Sequence, residues 1–203
     1  LGDYSYISHL RMEGKYFIKP TKEEYNKHEH IVFHLDNNLD LRYHDVRKFG
    51  VMIHAKTNDI LNLEELKKLG IEPDNNDLTI DYLYRKITKS NKPIKELLLD
   101  QTIINGLGNI YVDEVLFKSK INPLKQGNKI TKDDCNNIIQ SSKEIINKAT
   151  ELGGTTIRSY TSSLGVTGHY QDYLCVHTKV GKNCPICKSI IKKIRVGGRG
   201  TYY

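Results

Sequence analysis

The chain has 203 residues and a mass of 23.4 kDa, and 27% of its residues are charged. This length can bury a real core and permits one domain or two small ones. No apolar run approaches the roughly 20 residues of a membrane-spanning helix, and the first residues lack the pattern of a signal peptide, so we expect a cytoplasmic protein without membrane contact. The net charge of +7 favours an anionic partner.

The positive charge is concentrated towards the C-terminus. Residues 155–203 contain eight Lys or Arg side chains and one acid, Asp172, so the rest of the chain is neutral overall. A basic segment beside a neutral body is typical of a nucleic-acid contact and equally of a solvated surface. The charge pattern alone leaves both interpretations open.

The first fifty residues alternate between polar and apolar side chains, as β-strands do. Residues 4–10 and 16–18 flank a turn at 12–15 and predict a first hairpin. A second hairpin is predicted over residues 31–43, because Asn38 and its neighbour tolerate the positive φ of a tight turn. These patterns predict an antiparallel sheet that is a β-sandwich or part of one.

From residue 63 the apolar period becomes helical. Helices are predicted over residues 64–69, 79–88, 93–99 and 110–118. Thr131 and Asp134 resemble a capping box that begins a further helix, which Gly153 ends. The last part returns to short strands, predicted over residues 176–180 and 190–196.

These changes of period predict an α+β protein in four parts. The parts are a partial antiparallel β-sandwich over residues 1–62, a helical domain over 63–154, a loop region over 155–173 and an incomplete zinc-ribbon hairpin over 174–203. No internal repeat or low-complexity linker interrupts them.

The Cys-x-x-Cys pair is formed by Cys184 and Cys187. Two thiolates at this spacing can bind one tetrahedral Zn²⁺, but a closed structural site needs four ligands. The favoured interpretation is half of a zinc ribbon, whose second pair is expected just after Tyr203. The alternatives are His169 or His177 as substitute ligands, a redox pair, and two structural cysteines without a metal.

Two glycines and an amide side chain stand at the start of the helix predicted from residue 110. In the segment Gly106-Leu107-Gly108-Asn109, free backbone N–H groups and the helix dipole favour a phosphate. A glycine-rich turn capped by Asn109 is the alternative, and it is favoured unless other features indicate nucleic acid.

Arg47 and Phe49 follow a predicted strand, and Met12 lies at the tip of an earlier turn. An apolar wedge can fill the gap that an extruded base leaves in a duplex, and an arginine can hydrogen-bond the orphaned partner base. Composition alone favours core packing for Phe49 and Met12. Only their joint context favours a contact with DNA.

Five segments together resemble the formamidopyrimidine-DNA glycosylase family. They are residues 7–14 (ISHLRMEG), 45–50 (DVRKFG), 98–101 (LLDQ), 108–114 (GNIYVDE) and 198–203 (GRGTYY). The resemblance covers essentially the whole chain, and its most specific parts are the Gly-Asn-Ile-Tyr and Gly-Arg-Gly-Thr segments. It implies a β-sandwich, a helix/two-turns/helix domain and a zinc finger with one structural Zn²⁺. It also implies a bacterial, nucleoid-associated monomer that binds double-stranded DNA containing oxidised purines or abasic sites.

The resemblance further implies which residues contact DNA. Met12, Arg47 and Phe49 would fill the space left by the flipped lesion, with Arg47 facing the orphaned cytosine. Asn109 and Arg199 would hold the phosphates around it. The family also associates the position of Arg199 with the final elimination step.

Four further residues match family positions. His9 and His28 match histidines that contact DNA in the family. Arg158 and Tyr160 lie in a segment that resembles the loop covering 8-oxoguanine, which favours purine lesions.

The implied activity is that of a bifunctional DNA glycosylase/AP lyase in base-excision repair. The family's nucleophile is the amine of an N-terminal proline, whose Schiff base with C1′ displaces the base and prepares β,δ-elimination. That proline, a neighbouring glutamate and a lysine are absent from the 203 residues, so we interpret the chain as a fragment that is inactive by itself.

Two other functions stay open. An endonuclease VIII-like glycosylase for oxidised pyrimidines shares this architecture, but Arg47, Phe49 and the long loop argue against it. The second alternative is a non-catalytic protein that binds abasic or damaged DNA.

Overall fold

The computed structural model describes residues 2–155 and 168–203. Arg158 and Tyr160 lie outside these ranges. The chain divides into two compact units, of which the first comprises Leu1–Lys67 with Thr155–Gly168, and the second Lys68–Gly154 with His169–Tyr203. The four-part division drawn from the sequence stays a prediction.

The first unit is built from two antiparallel sheets. Its strands are β1 (Tyr4–His9), β2 (Lys15–Pro20), β3 (Glu29–His34), β4 (Leu39–His44) and β5 (Val51–Lys56). One sheet pairs β1 with β5, and the other has the order β2-β4-β3. A 3-10 helix (Thr57–Asn62) and the short helix α1 (Glu64–Lys67) follow β5.

One of the two predicted hairpins is confirmed and the other is wrong. β3 and β4 form the second hairpin, and Asn38 has the positive φ of 59° that its turn requires. The first hairpin does not form, because β2 pairs with β4 and β1 pairs with β5. The turn before β2 is tight: Gly14 N–H donates to Leu10 O at 3.0 Å, and a Cβ at Gly14 would lie 2.5 Å from that oxygen.

The three-stranded sheet has a charged core. Arg42 and Asp40 are fully buried in β4, and the Arg42 guanidinium donates to Asp40 and to Glu29 of β3. It also donates to three backbone carbonyls between residues 20 and 24. These hydrogen bonds fix the connection between β2 and β3 and satisfy a charge that would be costly to bury alone.

The second unit is mainly helical. Its elements are α2 (Ile80–Ile87), α3 (Ile94–Leu99), α4 (Asn109–Lys118), α5 (Lys132–Glu151), the 3-10 helices Gly127–Lys129 and Tyr170–Tyr173, and strands β6 (Lys193–Val196) and β7 (Arg199–Tyr202). The capping box is confirmed, because the Thr131 hydroxyl accepts from Asp134 N–H and the Asp134 carboxylate accepts from Thr131 N–H. The α+β class is confirmed as well.

The apolar faces of α2 to α5 form the core of this unit. Ile87, Leu98, Val115 and Ile138 come from four different helices, and all four are fully buried. Burying each such side chain contributes roughly 1.5–3 kcal/mol to stability. Within the two described ranges, no helix has both the length and the apolar character needed to cross a bilayer.

The strand predicted over residues 176–180 is wrong, because this segment forms turns. The N–H groups of Val176 and His177 donate to the Glu114 carboxylate of α4, as does that of the preceding Cys175, and Lys179 N–H donates to Val176 O. The strand predicted over 190–196 begins only at Lys193. It pairs with β7 through a turn at Gly197 and Gly198, whose φ angles of 54° and 77° favour glycine.

Candidate nucleic-acid interface

Three exposed side chains from two distant segments meet on the first unit, and we call them the surface cluster: Met12, Arg47 and Phe49. The Arg47 Nη1 lies 3.5 Å from Met12 Sδ, and the Arg47 Cζ lies 4.6 Å from the centroid of the Phe49 ring. Met12 is 65% exposed and Phe49 is 54% exposed. Core packing of these two side chains is therefore excluded, and the cluster offers a cation between two apolar groups.

A buried carboxylate holds the loop that carries Arg47 and Phe49. Asp45 accepts hydrogen bonds of 2.9 Å from Gly50 N–H, the Tyr43 hydroxyl and Arg47 N–H. Burial alone would raise the pKa of Asp45, but these hydrogen bonds outweigh it and lower the pKa to about 2. A Cβ at Gly50 would lie 1.7 Å from the Tyr43 hydroxyl oxygen, so the loop requires glycine there.

The two predicted DNA-contacting histidines lie near residues that shape the cluster, His9 in sequence and His28 through a contact with Asp45. The exposed His9 accepts from Arg11 N–H at 3.1 Å, in the turn that leads to Met12. The half-buried His28 accepts from Asp45 N–H through its carbonyl at 3.0 Å. Burial, followed by nearby positive charge, lowers the pKa of His28. Their contacts with DNA stay predictions.

On the second unit, Asn109 is the first residue of α4 and Gly108 is its N-cap. Gln101 holds the preceding loop, because its side chain accepts from Gly106 N–H at 2.9 Å and donates to Leu107 O at 3.0 Å. Gly106 has a φ of 89°, a conformation that favours glycine. The loop thus presents the start of α4, and the N–H groups of a helix N-terminus favour an anion.

Asn109 and Arg199, which are 90 positions apart, are brought together by β7. The Asn109 side-chain amide donates to Gly200 O at 3.0 Å, and Gly200 directly follows the exposed Arg199. The Asn109 Oδ1 is buried and has no hydrogen-bond partner among the described residues. The exposed Arg199 therefore lies beside the N-terminus of α4, and this surface offers a guanidinium and a helix N-terminus, which each favour a phosphate.

Under this surface lies a buried chain of polar groups, which we call the Lys95–Asp113–His177 network. Lys95 of α3 donates to Asp113 Oδ1 at 2.5 Å and to Asn109 O at 3.1 Å. His177 Nδ1 lies 2.7 Å from the other carboxylate oxygen, Oδ2. Burial lowers the pKa of Lys95, Asp113 opposes this shift, and the positive charge of Arg199 adds to it.

This network was not predicted from the sequence. One signal for it was present, since Lys95 lies between Ile94 and Leu98 on the buried face of α3. A lysine on an apolar helical face needs an acidic partner. The sequence did not identify Asp113 as that partner.

The two metal-ligand candidates stand in one turn. Cys187 N–H lies 3.5 Å from Cys184 Sγ, and hydrogen bonds from Ser189 and Cys184 lower the pKa of the Cys187 thiol to about 7. Such a pair suits two positions of a zinc site. His169 and His177 do not complete it, because the residues described contain no group of three metal-ligating side chains.

Comparison with known proteins settles the family. The profile described as "Formamidopyrimidine-DNA glycosylase N-terminal domain" matches residues 1–52, and "Formamidopyrimidine-DNA glycosylase H2TH domain" matches residues 69–161. The formamidopyrimidine-DNA glycosylase of Lactobacillus delbrueckii subsp. bulgaricus is 44% identical over 203 residues, which cover 100% of this chain and 74% of that protein. The chain belongs to the formamidopyrimidine-DNA glycosylase family. It is thereby a member of an enzyme family of base-excision DNA repair.

Other members and solved structures agree with this assignment. The formamidopyrimidine-DNA glycosylase of Streptococcus pneumoniae is 44% identical over 204 residues, and the match covers 100% of this chain and 74% of that protein. Lactococcus lactis Fpg in complex with abasic-site DNA has a TM-score of 0.91 at 43% identity, with 100% of this chain and 74% of that chain covered. A Lactococcus lactis Fpg mutant bound to DNA containing Fapy-dG has a TM-score of 0.92 at 42% identity and the same coverage.

Proposed function

We propose that this member of the formamidopyrimidine-DNA glycosylase family is a bifunctional DNA glycosylase/AP lyase that removes oxidised purines, 8-oxoguanine and formamidopyrimidines, from double-stranded DNA. The observation that carries the proposal is the exposed surface cluster of Met12, Arg47 and Phe49. The Lactococcus lactis relatives bound to abasic-site and Fapy-dG DNA support it. The proposal further places the protein in the bacterial cytoplasm, at the nucleoid, as a monomer.

The cluster has the chemistry needed to replace a flipped nucleotide. Phe49 and Met12 offer apolar surface that can take the stacking position of the extruded base. Arg47 has five N–H donors and no acceptor, so it suits the acceptor edge of the orphaned cytosine. Its contacts with Met12 and Phe49 hold the guanidinium on the apolar pair before DNA binds.

Asn109 and Arg199 are proposed to hold backbone phosphates around the lesion. The start of α4 supplies N–H groups and a positive dipole end, while Arg199 supplies a charged donor. By family resemblance, Arg199 also assists the last elimination step, in which a phosphate leaves the sugar. His9, His28, Arg158 and Tyr160 complete the proposed contacts with DNA and the lesion.

The proposed chemistry uses a nucleophile that is not among the 203 residues. The amine of an N-terminal proline attacks C1′ and the damaged base leaves, which gives a Schiff base on the sugar. The cationic imine acidifies the C2′ proton, so that β-elimination of the 3′ phosphate and δ-elimination of the 5′ phosphate follow. The residues described here supply the binding and the phosphate contacts for that sequence of steps.

We further propose that Cys184 and Cys187 supply two ligands of one structural Zn²⁺. The two thiols fit half of a tetrahedral site, and a bound zinc ion would cross-link the turn before β6. With two ligands the 203-residue chain is expected to bind zinc weakly. Tight, stoichiometric zinc measured in this chain by atomic absorption after dialysis would contradict this expectation.

Binding measurements test the main proposal without needing the nucleophile. Fluorescence anisotropy compares duplexes that contain an abasic-site analogue or 8-oxoguanine opposite cytosine with the undamaged duplex. We expect the damaged duplexes to bind at least about tenfold more tightly, a difference of about 1.4 kcal/mol. Arg47→Ala should reduce this preference, whereas Arg85→Ala, an exposed arginine of α2, should leave it unchanged.

Two outcomes of the same measurement would contradict the proposal. If Arg47→Ala weakens binding to damaged and undamaged duplexes by the same factor, the cluster does not recognise lesions. If thymine glycol duplexes bind more tightly than 8-oxoguanine duplexes, the specificity is that of an endonuclease VIII-like enzyme for oxidised pyrimidines.

A further inference from the structure

Strand β7, which carries Arg199, is fixed at both ends by side chains from elsewhere in the second unit. Near its start, Gly200 O accepts from the Asn109 amide at 3.0 Å. At its end, the Tyr202 ring contacts the His177 ring, with centroids 4.7 Å apart. The position of Arg199 relative to Asn109 therefore depends on both contacts.

Both contacts lead to the same buried carboxylate. Asp113 accepts from Lys95, and Lys95 also donates to the backbone carbonyl of Asn109 at 3.1 Å. The second oxygen of Asp113 faces His177 Nδ1 at 2.7 Å. Asp113 is 1% exposed and Lys95 is fully buried, so the contacts are shielded from water.

The His177 ring is oriented by this carboxylate. An ionised carboxylate only accepts hydrogen bonds, so the proton of the pair stands on Nδ1 and the ring must face Asp113. The backbone is held separately, because His177 N–H donates to Glu114 at 2.8 Å. A change of the His177 side chain thus alters the ring contacts while the backbone anchor remains.

We propose that His177 is a positioning residue, which sets the separation of Arg199 and Asn109 through its hydrogen bond to Asp113 and its contact with Tyr202. The inference rests on the proposed function, in which Arg199 and Asn109 hold phosphates around the lesion. His177 itself does not contact the DNA. His177 influences phosphate binding indirectly, because it helps to set the position of β7.

The test uses two substitutions at one position. His177→Phe keeps a flat ring and removes the hydrogen bond, whereas His177→Asn keeps a donor close to the place of Nδ1. We expect His177→Phe to weaken binding to an abasic-analogue duplex about fivefold, as the loss of one hydrogen bond predicts. The slope of log affinity against log salt concentration should fall by about 1, because one phosphate contact is misplaced. His177→Asn keeps the hydrogen bond but lacks the ring that contacts Tyr202, so it should reduce the slope as Tyr202→Leu does.

The first unit offers a matched control. His34 Nδ1 lies 2.8 Å from Asp40 in β4, and its side chain is 64% exposed. His34→Phe removes a comparable His–Asp contact and should change neither the affinity nor the salt slope. Tyr202→Leu breaks the contact with β7 from the other side and should reproduce the reduced slope, which covers the case that His177→Phe does not fold.

A double substitution separates positioning from a general loss of stability. In an Arg199→Ala background no guanidinium remains to be placed, so His177→Phe should cause no further loss of affinity. The same loss of affinity in both backgrounds, or an unchanged salt slope in His177→Phe and Tyr202→Leu, would overturn this inference and leave the proposed function intact. If Arg199→Ala and Asn109→Ala themselves leave binding unchanged, the proposed phosphate site is wrong and the inference falls with it.

Discussion

The two surfaces proposed to contact DNA both stand over a buried carboxylate, but the carboxylates bind different donors. Asp45, below the surface cluster, accepts from the Tyr43 hydroxyl and from backbone N–H groups, all of them uncharged. Asp113, below the start of α4, accepts from the Lys95 ammonium and faces His177. The first surface is therefore held by the geometry of one loop, whereas the second depends on the compensation of a buried charge.

The largest expected effect comes from removing the charge of Asp113. Asp113→Asn would leave the buried Lys95 ammonium without the carboxylate that compensates it. We expect a loss of about 3–5 kcal/mol in the free energy of unfolding, the range for one broken partner of a buried ion pair. Urea denaturation at pH 7, followed by circular dichroism, measures this loss.

A double substitution provides the control for Asp113. Lys95→Met together with Asp113→Leu removes both charges and should recover most of the stability that Asp113→Asn loses. If Asp113→Asn is as stable as the unsubstituted chain, charge compensation is unimportant here. The contrast between the two carboxylates would then disappear.

Asp45 should show its contribution as a dependence of stability on pH. Its pKa of about 2 lies below the value of about 3.9 for an aspartate in an unfolded chain. The ionised carboxylate therefore stabilises the folded state fully above about pH 5, and this stabilisation is lost as the pH falls from about 4 towards 2. Denaturation curves between pH 6 and pH 2 measure the change.

Asp45→Asn is the matched variant for this pH dependence. The amide keeps the size of the side chain but cannot accept all three hydrogen bonds, so we expect a loss of about 1–3 kcal/mol at pH 7. The difference from the unsubstituted chain should shrink as the solution is acidified. A constant difference down to pH 2 would show that Asp45 is not the titrating group.

Local patterns of the sequence predicted much of the fold. The capping box of Thr131 and Asp134 and the turn at Asn38 each involve residues that are neighbours in the chain. Their residue types were therefore sufficient to predict both features. The first hairpin was wrong because a period of two marks a strand but not its partner. β2 pairs instead with β4, which is the central strand of its sheet and has Arg42 and Tyr43 buried.

The same limit applies to the site. Met12, Arg47 and Phe49 were assigned to DNA contacts through the resemblance to a family, since composition alone favoured core packing for Met12 and Phe49. The strand expected over residues 176–180 fails because Glu114, more than 60 positions earlier, takes the backbone amides of residues 175–177. Contacts of this kind join distant residues without a periodic pattern, so a single sequence does not show them.

The smallest expected effect on stability concerns Phe49, an exposed side chain of the surface cluster. Phe49→Ala should change the free energy of unfolding by no more than about 0.5 kcal/mol, as for other exposed positions. Leu61→Ala, at a 77% exposed position outside the cluster, is the matched control for stability. Only Phe49→Ala should reduce the preference for damaged DNA, because Phe49 supplies the stacking surface. If Phe49→Ala lowers the free energy of unfolding by more than about 1 kcal/mol and keeps the preference for damaged DNA, Phe49 stabilises the fold and does not recognise lesions. Substitutions at ordinary surface positions stay below that size.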